Sequence, residues 1–431
     1  MTTRRQPTRR QFLAAAAAAV AAPYFVPAKA FGANDRINVG YIGCGRRAAG
    51  LQGVPGDAHV LALADINRRR LEDWAKGKLG KQYGISEKRL FPDYRDMLAL
   101  DELDAVIISS PDHWHALHAI HAMEAGKDVY IEKPMTLTIR EGRLMVDAAR
   151  ANSRICQVGS QQRSTQENRV GCALVRAGRI GKVHTVHTAN YPSPWECTLP
   201  EEDAPEYINW DMWCGPTPYR GYHEKLYTPR GGKQGHEWGW ISYRPYSGGE
   251  MTGWGAHGLD QIQWALGVDD SGPVEIWPVL DEEPPSDGVH LGPRWPVHMR
   301  YASGAVVKLD DQGAAGGGWF EGDEGEIKID RGRYAIKPDA LDDDLPELEP
   351  IPFVGETNEH IANWLHCVRT RQTPNADVEI GHRSTTVCHL GNIARWLKRP
   401  ITWDPVTETF PGDDEANRFL DRDRRAPWTL G

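Results

Sequence analysis

The 431-residue chain predicts an α/β protein in two parts. A doubly wound parallel sheet comes first, and an α+β domain with a large open, mainly antiparallel sheet follows. Three observations carry this. A short apolar run, Ile37 to Ile42, leads straight into Gly43-x-Gly45-x-x-Ala48, the strand–turn–helix signature of a dinucleotide-binding Rossmann unit. Apolar strand-like runs then alternate with helical patterns to about residue 159. From 160 onward longer strand patterns take over, one from Val183 to Asn190 and a hairpin from Val297 to Lys308 that turns at Ser303-Gly304.

The first thirty residues stand apart from the fold. Thr8-Arg9-Arg10-Gln11-Phe12-Leu13 follows a basic start, an alanine-rich run extends to Ala22, and Ala28-Lys29-Ala30 offers a small-residue cleavage site. The run is too short and too weakly apolar to span a bilayer. Paired arginines followed by Phe-Leu match a twin-arginine export signal, which implies a periplasmic or otherwise exported protein. The expected boundaries are 1–30 for the leader, 31–159 for the first domain and 160–431 for the second. A net charge of −9 is a modest acidic excess and gives no basic surface for nucleic acid. No apolar run is long enough to imply a membrane span. The seven cysteines show no C-x-x-C spacing, so neither a disulfide framework nor a zinc site is expected.

In the first domain each element has a job. Gly43 permits a tight turn, Gly45 lets the backbone approach a pyrophosphate, and Ala48 lets the next helix pack close, its N–H groups aimed at the phosphates. Cys44, Arg46 and Arg47 fill out this loop, with Cys44 a small buried residue. His59 to Asp65 is a second strand, and Asp65 at its end is placed to grip a ribose diol and to repel a 2′-phosphate. That favours NAD, while Arg68, Arg69 and Arg70 keep NADP open. Ala105 to Ser110 and Asp128 to Ile131 are further buried strands. In such sheets ligands lie at the carboxyl ends of the strands, so Ser110, Pro111 and His115 after one strand and Glu132 and Lys133 after the next face the nucleotide. Thr138-x-x-Glu141 is a capping box. Ile155 to Gly159 is the last strand, with Gln161 just beyond it. Histidines 113, 115, 118 and 121 do not share one helix face and have no cysteine or acidic partner at ligand spacing, so no metal is expected.

Several segments carry a resemblance to the glucose–fructose oxidoreductase, inositol dehydrogenase and MocA (Gfo/Idh/MocA) family. They are the glycine loop, Ser-Ser-Pro-Asp-His-Trp-His (109–115), Ala-Gly-Lys-Asp-Val-Tyr-Ile-Glu-Lys-Pro (125–134), Val-Gly-Ser-Gln-Gln-Arg-Ser (158–164) and Gly-Arg-Ile-Gly-Lys-Val (178–183). The resemblance spans nearly the whole mature chain. It implies that Lys133 touches both nicotinamide and substrate and that a cis bond often precedes Pro134. A lysine there, with a depressed pKa, can hold a substrate hydroxyl and pass on its proton.

The second domain is expected to pack an open sheet against the first, and the resemblance places a homodimer or homotetramer interface on that sheet. Tyr191 to Trp254 holds tryptophans 195, 210, 213, 238, 240 and 254 among many tyrosines, glycines and prolines. Long irregular segments are usually functional, and flat indole faces suit sugars. Tyr191, Trp240, Tyr243, Arg244, Glu250 and Trp254 are the candidate substrate contacts. Gly248 to Asp260 then opens a helix running to about Leu266. It resembles the family's second active-site motif and assigns His257 as a base, with Asp260 on the same helix face orienting the ring. Many family dehydrogenases carry an aspartate four residues before this histidine, where this chain has Gly253; Glu250, Glu237 or His236 are the stand-ins available. Two C-terminal helical patterns, 358–369 and 379–397, should pack back toward the first domain.

The expected activity is that of an exported, NAD(P)-dependent oxidoreductase acting on a sugar, polyol or glycoside. A free nicotinamide pool is not expected outside the cytoplasm, so the cofactor should stay bound and be reset within each cycle. Sugar–sugar oxidoreduction and glycoside cleavage by oxidation, elimination and reduction both satisfy this. The rival of another class is a non-catalytic carbohydrate sensor that keeps the nucleotide as a structural element.

Overall fold

The alternation of apolar runs and helical patterns becomes two sheets. The computed structural model describes residues 36–430 except 56–57, 229, 232–236, 281–293, 344, 346 and 349–358, and not the side chains of 230–231 and 237–238. The leader at 1–30 therefore lies outside the described residues, as do His236 and the side chains of Glu237 and Trp238.

The first sheet comprises β1 (Ile37–Ile42), β2 (Ala58–Ala64), β3 (Leu90–Phe91), β4 (Ala105–Ile108), β5 (Asp128–Ile131) and β6 (Cys156–Val158), in spatial order 3-2-1-4-5-6. Every described pairing in it is parallel. β4 and β5 are buried at every position, as strands covered on both faces must be. The order reverses between β1 and β4, and that switch point opens the crevice where a ligand can lie.

The helix expected after the glycine turn is a single turn, α1 (Arg46–Ala49). Four residues sum to only a small dipole, so the arginines of this turn carry most of its positive charge. Among the helices that follow are α2 (Asp112–Glu124) and α3 (Ile139–Ala151). Thr138 caps α3 by accepting from the Glu141 amide, as expected. Glu141 accepts one residue early, from the Leu137 amide, and its other oxygen takes Arg422 and Arg424 from the chain's end.

The second sheet contains β7 (Val183–Thr188) and, beyond a short ribbon of β8 (Arg230–Gly231) and β9 (Glu237–Trp238), β10 (Pro273–Pro278), β11 (Val297–Tyr301), β12 (Val306–Leu309), β13 (Gly318–Gly322), β14 (Glu326–Asp330), β15 (Arg333–Lys337) and β16 (Ile401–Thr402). Its order is 15-14-13-7-12-11-10-16, antiparallel except where β12 runs parallel to β7. Alternation fixes its faces. Val297, Met299 and Tyr301 of β11 and Ile327 and Ile329 of β14 point into one core. Three helices cover that face: α4 (Gln166–Arg176), α6 (Gly255–Ala265), which follows the one-turn α5 (Glu250–Gly253), and α8 (Val378–Leu397).

α7 (Glu359–Thr370) buries Ile361, Trp364, Leu365 and Val368 against β1, β4 and Tyr130. Between the sheets, the aromatic segment forms its own small core, with Trp210 and Trp213 stacked at 4.3 Å inside a shell of Tyr222, Tyr227, Tyr243 and Tyr246. Trp210 is structural, while Trp213 stacks on it and also lines the cleft at the edge of the first sheet.

Candidate active site

Positive φ places the first constraint. Gly43 sits at φ +88°, and a Cβ there would lie 2.9 Å from the Ser110 amide nitrogen, so only glycine lets β4's outgoing loop come this close. Gly45 is different, because a Cβ on it would meet nothing nearer than Arg70 Nη1 at 3.8 Å. Its bare face opens on a cleft with about 1240 Å³ of empty space, the open mouth included.

Ten of the residues assigned to the nucleotide line that cleft: Gly43, Gly45, Arg46, Arg47, Asp65, Ser110, Pro111, His115, Glu132 and Lys133. Asp65, at the end of β2, accepts from the Cys44 amide at 2.7 Å and the Asn67 amide at 2.8 Å. Each oxygen keeps a lone pair for a diol. Burial raises its pKa, against Arg70 and the two amides that lower it. The remaining three stand behind the lining. Cys44 contributes its amide to Asp65, Ala48 packs in the core under β1, and Gln161 Nε2 holds Glu132 at 2.8 Å and Tyr130 at 2.9 Å. Glu132 also takes Arg47 at 2.7 Å. His115 braces the two strand-end turns, its ring nitrogens 2.7 Å from the Pro134 carbonyl and 2.8 Å from that of Ser110. The Lys133–Pro134 bond is cis. A bare glycine face at the switch point, a carboxylate at the end of β2 and two arginines on the turn fit a dinucleotide.

The histidines of α2 have separate partners. His113 meets the Trp213 carbonyl, His118 meets Ser110 Oγ, and His121 meets Tyr94 OH. Among the described residues no group of three His, Cys, Asp or Glu converges on a metal position. All seven cysteines are free thiols.

Lys133 closes the cleft at its inner end and reaches into the second layer, where Nζ donates to the Gly253 carbonyl at 2.9 Å. Burial pushes its pKa down, against Glu132, Glu250 and Asp112, which hold it up. The space a Gly253 side chain would fill is taken by Glu250, whose Oε2 lies 3.0 Å from the position of a Cβ. Of the stand-ins, Glu250 is thus the one seen beside Lys133. His257, on α6, is buried, and its Nδ1 has no hydrogen-bond partner. Burial pushes this imidazole well below its ordinary pKa, and Lys133, Arg331 and Arg47 push the same way. A ring so reluctant to take a proton serves better as a neutral hydrogen-bonding group than as the base expected from sequence. Trp254 packs edge-on to it at 5.8 Å, and Arg331 lies over the Trp254 ring at 5.9 Å.

Four expectations fail on geometry. Asp260 does not orient His257, because its carboxylate accepts Arg163 at 2.9–3.0 Å and Ser384 at 2.6 Å. Tyr191 is buried in the core and donates to the Ala315 carbonyl. Tyr243 is buried edge-on to Trp195. Arg244 lies over Trp396 at 4.4 Å and pairs with Glu196. Of the substrate candidates, Trp240 lines the cleft, while Glu250 and Trp254 stand beyond Lys133 beside Gly253 and His257. Sequence reasoning missed Asp112, which lines the cleft, and Arg331. The first sits inside the quoted 109–115 motif at the mouth of a strand-end turn, which was signal enough. The second comes from a distant β-turn with no signal at all.

These motifs also match families of known proteins. Residues 37–160 match the model for an oxidoreductase family's NAD-binding Rossmann fold, and residues 182–430 match that family's C-terminal alpha/beta domain. A glycosyl hydrolase family 109 protein of Shewanella pealeana is 31% identical over 162 residues, which cover 35% of this chain and only 34% of that protein. Two solved structures share the fold at 18% identity. One is the WlbA dehydrogenase of Bordetella pertussis in complex with NADH and UDP-GlcNAcA, with TM-score 0.59, covering 86% of this chain and 99% of that one. The other is the aldose-aldose oxidoreductase of Caulobacter crescentus complexed with glycerol, with TM-score 0.58, covering 85% and 99%. With both halves matched by its models, the chain belongs to the Gfo/Idh/MocA oxidoreductase family and carries that family's NAD-binding domain.

Proposed function

We propose that the protein is an exported oxidoreductase that oxidises a hydroxyl of a sugar, polyol or glycoside and keeps its NAD bound through each turnover. One observation carries the reading: Lys133 lines the nucleotide cleft and bonds the second layer at Gly253, so a single buried amine lies between cofactor half and substrate half. Bound in the cleft, NAD supplies a two-electron acceptor that can return its electrons. The chain does the rest. Arg46 and Arg47 meet the phosphate charge and Asp65 takes the ribose. Lys133, less basic than a free lysine, binds the reacting hydroxyl and accepts its proton. His257 offers a neutral imidazole, and Trp240 and Trp254 offer flat faces.

Within this reading, glycoside cleavage by oxidation, elimination and reduction is favoured by the likeness to glycosyl hydrolase family 109. Sugar–sugar oxidoreduction is the alternative. Export rests on the twin-arginine stretch at 8–13. We place a subunit interface on the open face of the second sheet, where Arg300 covers Trp277 and Lys328 covers Trp319. No described helix is long and apolar enough to cross a membrane.

Mass spectrometry of nucleotide released from denatured, desalted protein tests retention. A screen of sugars and aryl glycosides for cofactor reduction and aglycone release then tests the chemistry. Nucleotide lost on simple desalting would sink the recycled-cofactor reading. No turnover on any carbohydrate would favour the sensor.

A further inference from the structure

The aromatic segment between the sheets meets the first domain at the end of β2. An antiparallel bridge joins Asn67 to Ile208. Around it the Arg68 amide donates to the Tyr207 carbonyl at 3.0 Å, and the Asn209 amide to the Ile66 carbonyl at 3.0 Å. Arg69 lies over the Tyr207 ring at 3.8 Å. Tyr227, on the one-turn helix Glu224–Tyr227, comes back to the same place. Its hydroxyl accepts from Asn67 Nδ2 at 2.9 Å, which leaves its own proton for an acceptor in the cleft. The Arg70 guanidinium lies over its ring at 4.7 Å. Arg70 and Tyr227 both line the cleft, and Arg70 Nη1 stands 3.8 Å from where a Gly45 Cβ would lie. Strand order assigns this end of the cleft. β2 with Asp65 lies on one side of the switch point and β5, which leads to Lys133, on the other. A dinucleotide that runs from Asp65 to Lys133 has its adenosine half at the end where Arg70 and Tyr227 stand.

We propose that Arg70 and Tyr227 bind the adenosine half of the dinucleotide, and that the 207–227 segment, by pinning them to the end of β2, sets how slowly the cofactor leaves. The proposal rests on the recycled-cofactor reading above and gives retention a physical cause. Arg70 adds a third cation to Arg46 and Arg47, with a fork of donors suited to phosphate and ribose oxygens. Tyr227 adds a hydroxyl that burial keeps protonated, lifting it to about 12, so it donates at neutral pH. Its ring is held before any ligand arrives, because Trp210, Trp213 and Tyr222 pack around it edge-on or tilted. Little side-chain freedom is then lost on binding. An adenosine held this way touches both layers of the molecule, and it leaves only by breaking its contacts to both.

The test is exchange of bound NAD for isotope-labelled NAD in the full chain, read by mass spectrometry after denaturation. The native protein should keep its nucleotide through desalting and exchange it slowly. Tyr227→Phe, which keeps the ring and loses the bond to Asn67, should exchange about 3- to 10-fold faster, and Arg70→Gln about 10-fold faster or more. Arg70→Lys should recover part of the slow exchange, as a cation facing phosphate does. Exchange at the native rate in both Tyr227→Phe and Arg70→Gln, from a protein that retains NAD, overturns the assignment alone. Arg70→Lys no slower than Arg70→Gln marks Arg70 as a packing residue and overturns its contact to the nucleotide. Nucleotide lost by the native protein on desalting overturns the recycled-cofactor reading and the assignment with it.

Discussion

At the scale of single residues, two side chains decide most of the chemistry. Lys133→Ala removes the only amine that reaches both layers among the described residues. It is expected to cut turnover by about 10²–10⁴-fold, the range for a lost acid–base group, while sugar affinity by calorimetry changes only a few fold. Gly43→Ala should act on the cofactor instead. Its left-handed φ costs a non-glycine residue about 1–2 kcal/mol, and the new methyl presses on the Ser110 backbone. The expected result is a lower Tm and sub-stoichiometric nucleotide by mass spectrometry. Both residues were readable in the sequence because their roles depend on local spacing. Asp260 was misread for the opposite reason: its partner Arg163 lies 97 residues away. No helical periodicity reveals a contact of that kind.

At the scale of elements, polar side chains pin helices beneath the site. Arg163 and Asp260 are both buried, and Asp269 and Ser384 complete the cluster that fixes α6 against α8. Arg163→Ala leaves Asp260 buried with its main partner gone, which should cost about 3–5 kcal/mol in urea unfolding. Turnover should fall with it as His257 loses its footing. The alternating strands and the two-part division were legible because the period-2 and period-3.6 patterns are strong. The inner role of Tyr191 and of Trp210 was not. An aromatic stretch looks the same in sequence whether it lines a ligand site or a small core of its own.

At the scale of the whole molecule, buried imidazoles set the acid limit. Burial pushes His113 down to about 3, and His360 and His389 down to about 4. Each is neutral in the fold and would ionise near 6.5 once unfolded. The unfolded chain therefore binds more protons below that pH, so stability is full above about 6.5 and is lost as pH falls toward 4. Thermal melts from pH 8 to pH 4.5 should show Tm flat at first and then dropping below about 6.5. A Tm that rises on acidification would contradict the burial of these rings.

The chain's last residues bear on how the protein is made. Trp428 packs against Trp114, a wall of the cleft, and Arg422 and Arg424 anchor on Glu141 while α7 seals the back of the first sheet. The glycine turn is thus made long before the parts that brace it. A chain cut short after the first sheet lacks that bracing and is expected to hold the dinucleotide weakly.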